Sequence, residues 1–352
     1  MMARVLVTGF EPFSNHSTNI SGDLVKTLDK HLIVSDPWSE IRGYEINDIE
    51  ITLDTEILSV DVFGAKLTSE MLSFGGQWDA IIHLGLCQSC QVPRIELMAQ
   101  NILDMKIKDN SGRQLRQHSI GSIEHKSTVN SNLIFTNNET INAEISFDAG
   151  KFVCNETYYN TLSKIHHITT EGDRTPCLFL HLPDYDKFSV HSAKELLLNM
   201  IGRILYKPVI SVAAGAILKD QKMLVARRND GENLGLWEFP GGKFEWGENQ
   251  SEAIIRELKE EFNWNVKSIK SFGKWFHKTE HFDIDLNIEI CQFIDQIPNL
   301  DKKENWTSHD EVKWIVDEDE VGEYIGIDRL VAKELFKELS NPSSSFTGFI
   351  HG

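Results

Sequence analysis

The sequence predicts an α/β protein of two domains, and three observations carry that prediction. Short, wholly apolar runs recur through the first part of the chain, as the buried strands of a mostly parallel sheet do. The pattern changes at Lys207-Pro208, after which the strands read as a hairpin and as an alternating ladder. The chain has 352 residues, more than one hydrophobic core usually organises. The expected architecture is a doubly wound, mostly parallel sheet over residues 1–206 and a second α/β domain over 207–340. The tail, residues 341–352, reads NPSSSFTGFIHG, a loop composition that is expected to be flexible.

The elements follow in order. Residues 4–8 form a buried strand in which Val5, Leu6 and Val7 run into Gly9, and residues 80–84 and 177–182 repeat the type. Between residues 192 and 205, Leu196, Leu197, Met200, Ile201 and Ile204 recur at helical spacing, a helix that closes the first domain. Strands at 209–218 and 223–227 pair as a hairpin through Lys219-Asp220-Gln221. From Phe282 to Ile290 apolar residues alternate with Asp283, Asp285, Asn287 and Glu289, the pattern of a strand with one wet face. The last helix covers residues 328–339.

Composition narrows the class. Hydrophobic content of 41% with 25% charged residues is that of a soluble globular protein, and the formal net charge is -18. Such a chain has no electrostatic reason to hold nucleic acid or an anionic membrane, so neither is expected as a partner. A polyanion can still bind locally where divalent metal neutralises carboxylates. No signal-peptide pattern and no spanning apolar run are present, and the five cysteines are irregularly spaced. Cys87 and Cys90 form a lone C-x-x-C, read as structural or incidental thiols. Together these features suit a reducing, cytoplasmic compartment.

Residues 242–264 read GKFEWGENQSEAIIRELKEEFNW. Glu257, Glu260 and Glu261 stand at i, i+3 and i+4, on one face of a helix. Like charges that close destabilise a helix unless a cation sits among them, and carboxylate oxygens suit Mg²⁺ or Mn²⁺. Ile254, Ile255 and Leu258 supply a face to bury. Ser251 and Glu252 suit the first turns, and Pro240-Gly241-Gly242 allows close backbone approach to a metal or phosphate.

Gly242, five residues, Glu248, seven residues, then Arg256-Glu257-Leu258-Lys259-Glu260-Glu261 resembles the Nudix box. Asn263 and Trp264 stand where the family pattern has a glycine and an apolar residue, and Asn tolerates the left-handed conformation. The resemblance implies an α/β/α sandwich that hydrolyses a phosphoanhydride with metal-activated water. Glu257, Glu260 and Glu261 would be the metal ligands, one sharing the base role, with Glu248 and Gly242 completing the metal shell. Arg256 would orient the carboxylates. LWEFPGGK, residues 236–243, resembles the MutT-like branch, which converts nucleoside triphosphates to monophosphates and pyrophosphate. An oxidised guanine triphosphate and a cytidine triphosphate both suit the flanking residues. Arg227 and Arg228 either reach phosphates or are solvated strand-end charges. Phe239 either stacks on a base or belongs to the core. Asp328 either reads the base or caps the last helix. An acidic ligand often precedes the tryptophan matched by Trp314, and Asp310 and Glu311 are both open for it.

The first domain carries a second constellation. Cys154 lies in DAGKFVCN, His181 in FLHLP and Glu96 in IEL, the parts of a cysteine-nucleophile triad. VLVTGFEPF with Asn19, IHLGL with Glu96, Ala99 and Asn101, DAGKFVCN and FLHLP resemble, in order, the segments of pyroglutamyl peptidase I. By that resemblance Cys154 is the nucleophile, His181 the base and Glu96 the orienting acid. Phe10 and Phe13 would line the pocket for the pyroglutamyl ring of a peptide. Four positions depart from the pattern: Ser14-Asn15 replace two glycines, and Cys90 and Leu97 each replace an arginine. The combined reading is a fusion of two hydrolases. Its alternatives are a first domain that serves as a non-catalytic, specificity-shifted or oligomerising scaffold, and a Nudix domain that senses nucleotide to regulate the peptidase.

Overall fold

A computed structural model of the chain describes residues 2–14, 16–136, 141–294, 296–300, 303 and 306–341. The expected flexible tail thus lies, apart from Asn341, outside the described residues. The chain divides into two compact units. The first holds most of the chain up to Lys207, and the second holds Pro208 onward together with Glu40–Gly43 and a short piece beginning at Phe135. No feature of the sequence announces those two excursions. Among the described residues no helix is long and apolar enough to cross a membrane.

The strands of the first unit are β1 (Ala3–Phe10), β2 (His31–Val34), β3 (Ile49–Leu58), β4 (Ala80–Leu86), β5 (Arg94–Glu96), β6 (Met98–Ala99), β7 (His125–Lys126), β8 (Glu144–Ser146) and β9 (Cys177–Leu182). Its helices are α1 (Ile20–Lys26), α2 (Val62–Ser73), α3 (Ser131–Ile134), α4 (Val153–Ile168) and α5 (Val190–Leu205). One sheet runs in the order β2-β3-β1-β4-β9-β5-β8, and β6 and β7 make a separate ladder. The central strands β3, β1, β4 and β9 are parallel, while β2 and β5 run antiparallel to β3 and β9. Side chains alternate across each strand. Leu6 and Phe10 enter one core with residues of α2 and α4, and α1 and α5 meet each other and the sheet. Both faces are therefore covered, which is why β4 and β9 are buried along their whole lengths. Pairing sets the strand ends: β1 stays registered with β3 through Phe10, past the last residue of its apolar run. Helix α5 starts before the expected residue 192 because the Ser189 side chain accepts the Ser192 N–H as a cap.

The second unit contains β10 (Val209–Lys219), β11 (Lys222–Arg228), β12 (Trp237–Glu238), β13 (Gly241–Lys243), β14 (Val266–Lys278), β15 (Asp283–Phe293), β16 (His309–Ile315), α6 (Gln250–Phe262) and α7 (Asp328–Leu339). The sheet order is β12-β11-β10-β15-β14, with β13 also on β10 and β16 on β11. The expected hairpin forms, and Asp220 and Gln221 turn it with φ of 48° and 61°. On one face Ala253, Ile254 and Leu258 of α6 meet Ala213, Ile217 and Leu224. On the other, Val331, Ala332 and Leu335 of α7 meet Ala214, Ala216 and Ile288. The result is a helix–sheet–helix sandwich.

Two expectations fail here. Strand β15 has no wet face: Asp283, Asp285, Asn287 and Glu289 are all buried. It is an inner strand, and its polar side is satisfied within the unit. Arg42 Nη1 donates to Asp283 at 2.9 Å, Asp285 accepts from Asn287 Nδ2 at 2.9 Å, and Ser268 donates to Glu289. Alternation reports a polar face, and a polar face covered by hydrogen-bonding partners looks the same in sequence as one covered by water. Ile255 is the second case, 40% exposed while Ile254 and Leu258 are fully buried. A helix turns 100° per residue, so Ile255 falls off the stripe that its neighbour occupies.

Candidate active sites

In the first unit β5 and β9 run side by side, with Glu96 opposite Phe179. His181, two residues on, therefore points to the same face as Glu96, and its Nδ1 lies 2.8 Å from Glu96 Oε1. Cys154 approaches from the first turn of α4 and lines the same cavity as the imidazole. Glu96 is wholly buried, and Tyr158 Oη holds its backbone carbonyl at 2.9 Å. Burial alone would pull His181 down, but the bonds to Cys154 and Glu96 and their charges raise it from 6.5 to about 9. Gly85 keeps the space open, because a Cβ there would meet Phe179 Cζ at 2.7 Å and Cys154 Sγ at 3.1 Å. A cavity of about 620 Å³ opens onto these groups, lined among others by Phe10, Phe13, Asn19 and Phe152. Cys154, His181 and Glu96, distant in sequence, thus line one pocket.

In the second unit a capping box starts α6: Asn249 accepts the Glu252 N–H, and Glu252 reaches back to the Asn249 N–H. Asn263 ends the helix at φ 56°, the left-handed position where the sequence pattern tolerates it. Arg256 gathers the acidic side chains. Its Nε and Nη2 bond Glu248 at 2.6 and 2.9 Å, and its Nη1 bonds Glu257 at 2.9 Å and Glu260 at 3.2 Å. That hydrogen bond holds Glu248 below its usual range. Burial pushes Glu257 up against the pull of Arg256, with Glu260 and Glu248 adding to the rise. Glu261 turns the other way, accepting from Ser308 Oγ at 2.6 Å, and burial pushes it up too.

Among the described residues no three acidic, histidine or cysteine side chains enclose one point as they stand. The donor set nevertheless fits a divalent cation. It consists of hard carboxylate oxygens, two of them raised by burial, and Glu261 Oε2 is buried without a hydrogen-bond partner. Gly242 lies against the cluster so tightly that a Cβ would fall 2.3 Å from Glu257 Cδ.

The other expected substrate residues divide. Asp328 does not cap α7: it is the first helical residue, buried, and it accepts the Phe239 N–H at 2.9 Å. Burial lifts its carboxyl to about 8, against that hydrogen bond. Phe239 is a core residue, 2% exposed, with no ring face for a base. Arg227 bonds Asp310 at 2.8 Å and Glu311 at 3.0 Å and lies over Trp237, which commits it to structure. The same pairs take Asp310 and Glu311 out of the carboxylate cluster. Arg228 pairs with Asp230 at 3.0 Å and Glu238 at 3.4 Å, beside Glu261 at 3.9 Å.

The model of the family described as pyroglutamyl peptidase matches residues 3–201. The chain belongs to the pyroglutamyl peptidase family. A NUDIX domain occupies residues 209–336, and both are hydrolase families. The pyrrolidone-carboxylate peptidase of Pyrococcus furiosus is 32% identical over 186 residues, covering 51% of this chain and 80% of that protein. That of Vibrio vulnificus is 30% identical over 188 residues, covering 52% and 79%. Pyroglutamyl peptidase I from Bacillus amyloliquefaciens aligns with a TM-score of 0.48 and 22% identity, over 58% of this chain and 97% of that one.

The four departures within the peptidase domain acquire physical content. Ser14 adopts φ 55°, the backbone region that glycine occupies without strain, and Asn15 lies outside the described residues. Leu97 is a core residue. Cys90 is not a free thiol: it forms a disulfide with Cys87, whose Cα is 5.4 Å away, which corrects the expectation and removes part of the case for a reducing compartment. Lys187 Nζ donates to the carbonyls of Gln88 and Cys90 at 3.1 and 3.3 Å, so a cation from outside the loop serves it. Phe152 in the peptidase pocket and Glu238, Ser308 and His309 beside Glu261 escaped the sequence reading. An aromatic next to the nucleophile was a usable signal for Phe152, whereas nothing local marks the others.

Proposed function

We propose that this chain carries two working hydrolases, a cysteine peptidase over residues 1–206 and a nucleotide pyrophosphohydrolase over 207–340. The observation that carries the first is the His181–Glu96 hydrogen bond in a cavity that Cys154 also lines. Cys154 Sγ attacks the carbonyl of an N-terminal pyroglutamyl residue. The imidazole passes the thiol proton to the leaving amine, and Glu96 holds Nδ1 so that Nε2 faces the reaction. Water then attacks the thioester, giving its proton to His181 and returning the free thiol. Phe10 and Phe13 supply apolar walls for the lactam ring.

The second reading rests on the box residues and their arrangement around Arg256. Glu257, Glu260 and Glu261 would hold Mg²⁺ or Mn²⁺, with Glu248 keeping Arg256 in place and Gly242 admitting the phosphates. A divalent metal held there would activate water and neutralise charge on the polyphosphate. Arg256 keeps the carboxylates oriented, and Asp328 faces the nucleobase with a carboxyl that burial keeps protonated near neutral pH. Oxidised dGTP and CTP-type triphosphates are the substrates of choice, cleaved to monophosphate and pyrophosphate. The test is a paired assay. The parent chain should release the amine from a pyroglutamyl amide and pyrophosphate from one triphosphate of a panel, Cys154→Ala should lose only the first, and Glu260→Gln only the second. Full amide release by Cys154→Ala would remove the peptidase assignment, and an inert parent on every triphosphate would remove the nucleotide assignment.

A further inference from the structure

We infer that His309 is a positioning residue for the carboxylate site of α6, tying Glu261 to Glu238. The inference rests on the nucleotide-hydrolase reading of that site. Strand β16 carries an irregularity against β11, where Arg227 pairs Glu311 and Arg228 pairs His309, leaving Asp310 as the extra residue. Val312 and Trp314 face α6. Unbroken alternation would send Asp310 to that face as well. The bulge instead sends Asp310 out to Arg227 and turns His309 inward, where its ring stacks on Phe262 with centroids 4.7 Å apart.

There the imidazole joins two elements. A carboxylate only accepts, so His309 Nε2 donates to Glu238 Oε1, at 2.7 Å, from β12. Nδ1 lies 3.1 Å from Ser308 Oγ, which donates to Glu261 Oε1 at 2.6 Å, and 3.8 Å from Glu261 Oε2. The His309 side chain is fully buried, so no water can substitute for it. Glu261 therefore has Oε1 fixed and Oε2 buried without a hydrogen bond, the disposition of an oxygen kept for a cation. Without the ring, Glu238 loses its donor, and Ser308, packed 3.1 Å from Nδ1, loses the support that aims its hydroxyl at Glu261. Partners of this kind, once removed, lower metal affinity by about 10–100-fold.

The measurement is Mn²⁺ binding to the full chain, titrated by electron paramagnetic resonance, together with nucleotide kinetics. His309→Phe keeps the stack on Phe262 and removes both ring nitrogens. It should bind Mn²⁺ at least about tenfold more weakly, with lower kcat, little change in nucleotide KM and an unchanged circular dichroism spectrum. His309→Gln, which can restore the bond to Glu238, should recover part of the loss. Mn²⁺ affinity in His309→Phe equal to the parent's overturns the inference, as does a glutamine variant no better than phenylalanine. If the phenylalanine variant does not fold, Ser308→Ala breaks the same link, and unchanged affinity there is equally decisive. A parent chain that binds no Mn²⁺ and cleaves no nucleotide sinks the underlying reading instead.

Discussion

Glu96 Oε1 and His181 Nδ1 lie 2.8 Å apart, though 85 residues separate them along the chain. The contact exists because β5 runs antiparallel to β9, and it fixes which imidazole nitrogen is left for Cys154. Glu96→Gln keeps the shape and removes the charge. Release from a pyroglutamyl amide should fall about 10²–10⁴-fold in kcat with KM little changed. Activity within a factor of two of the parent's would show that the carboxylate does not act through His181.

The same pair predicts a pH dependence. The folded-state value of His181, about 9, lies above its usual 6.5, so the folded protein binds that proton more tightly than the unfolded chain. The stability this contributes is complete below pH 6.5 and is lost as pH rises through 9. In denaturant melts, the stability gap between parent and His181→Gln should narrow across that window. A gap that widens with pH would contradict the assignment.

Glu260 is 60% exposed at its side chain and, among the described residues, bonds only Arg256, so Glu260→Gln should leave folding intact. Nucleotide hydrolysis should drop by at least about a hundredfold. Unimpaired turnover would mean the metal is held elsewhere.

Gly242→Ala tests the close approach. The new Cβ would reach within 2.4 Å of Glu257 Oε1, and the flexible carboxylate must swing away. Nucleotide cleavage should fail while the melting temperature of the chain moves by only a few degrees. A fully active alanine variant would show that Glu257 is not held against the backbone there.

Asp328 gives a stability test of opposite sign to a paired acid. Burial lifts its carboxyl from 3.8 to about 8, so unfolding releases a proton's worth of strain that grows as pH rises through that range. Asp328→Asn still offers an oxygen to the Phe239 N–H. It should match the parent near the acid end and exceed it near pH 8, the gap widening by at most about 1.4 kcal/mol per pH unit. A gap independent of pH would exclude the buried proton.

Much of the carboxylate cluster on α6 was readable because it is local. Glu257, Glu260 and Glu261 share one turn of α6, and helical geometry alone sets their spacing. Pairing by Arg256 reaches Glu248 through the loop that the capping box terminates. The same reading left Phe239 and Arg227 each between two roles, because their surroundings come from α7 and β16. Strand β15 was misread for a related reason, since only its partners distinguish a solvated polar face from a buried one.

By itself the sequence determined the α/β class and the acidic helix with its left-handed stop, and its motifs carried the resemblance to two hydrolase families. The class and the helix follow from periodicity and nearest-neighbour chemistry, which act over a few residues, and the resemblance from the motifs themselves. Tertiary structure alone decided that Glu96 meets His181, that Cys87 bonds Cys90, and that a bulge in β16 turns His309 toward Glu261. Each depends on strand register or loop closure, where a shift of one residue reverses a side chain's face, and no local pattern encodes that shift.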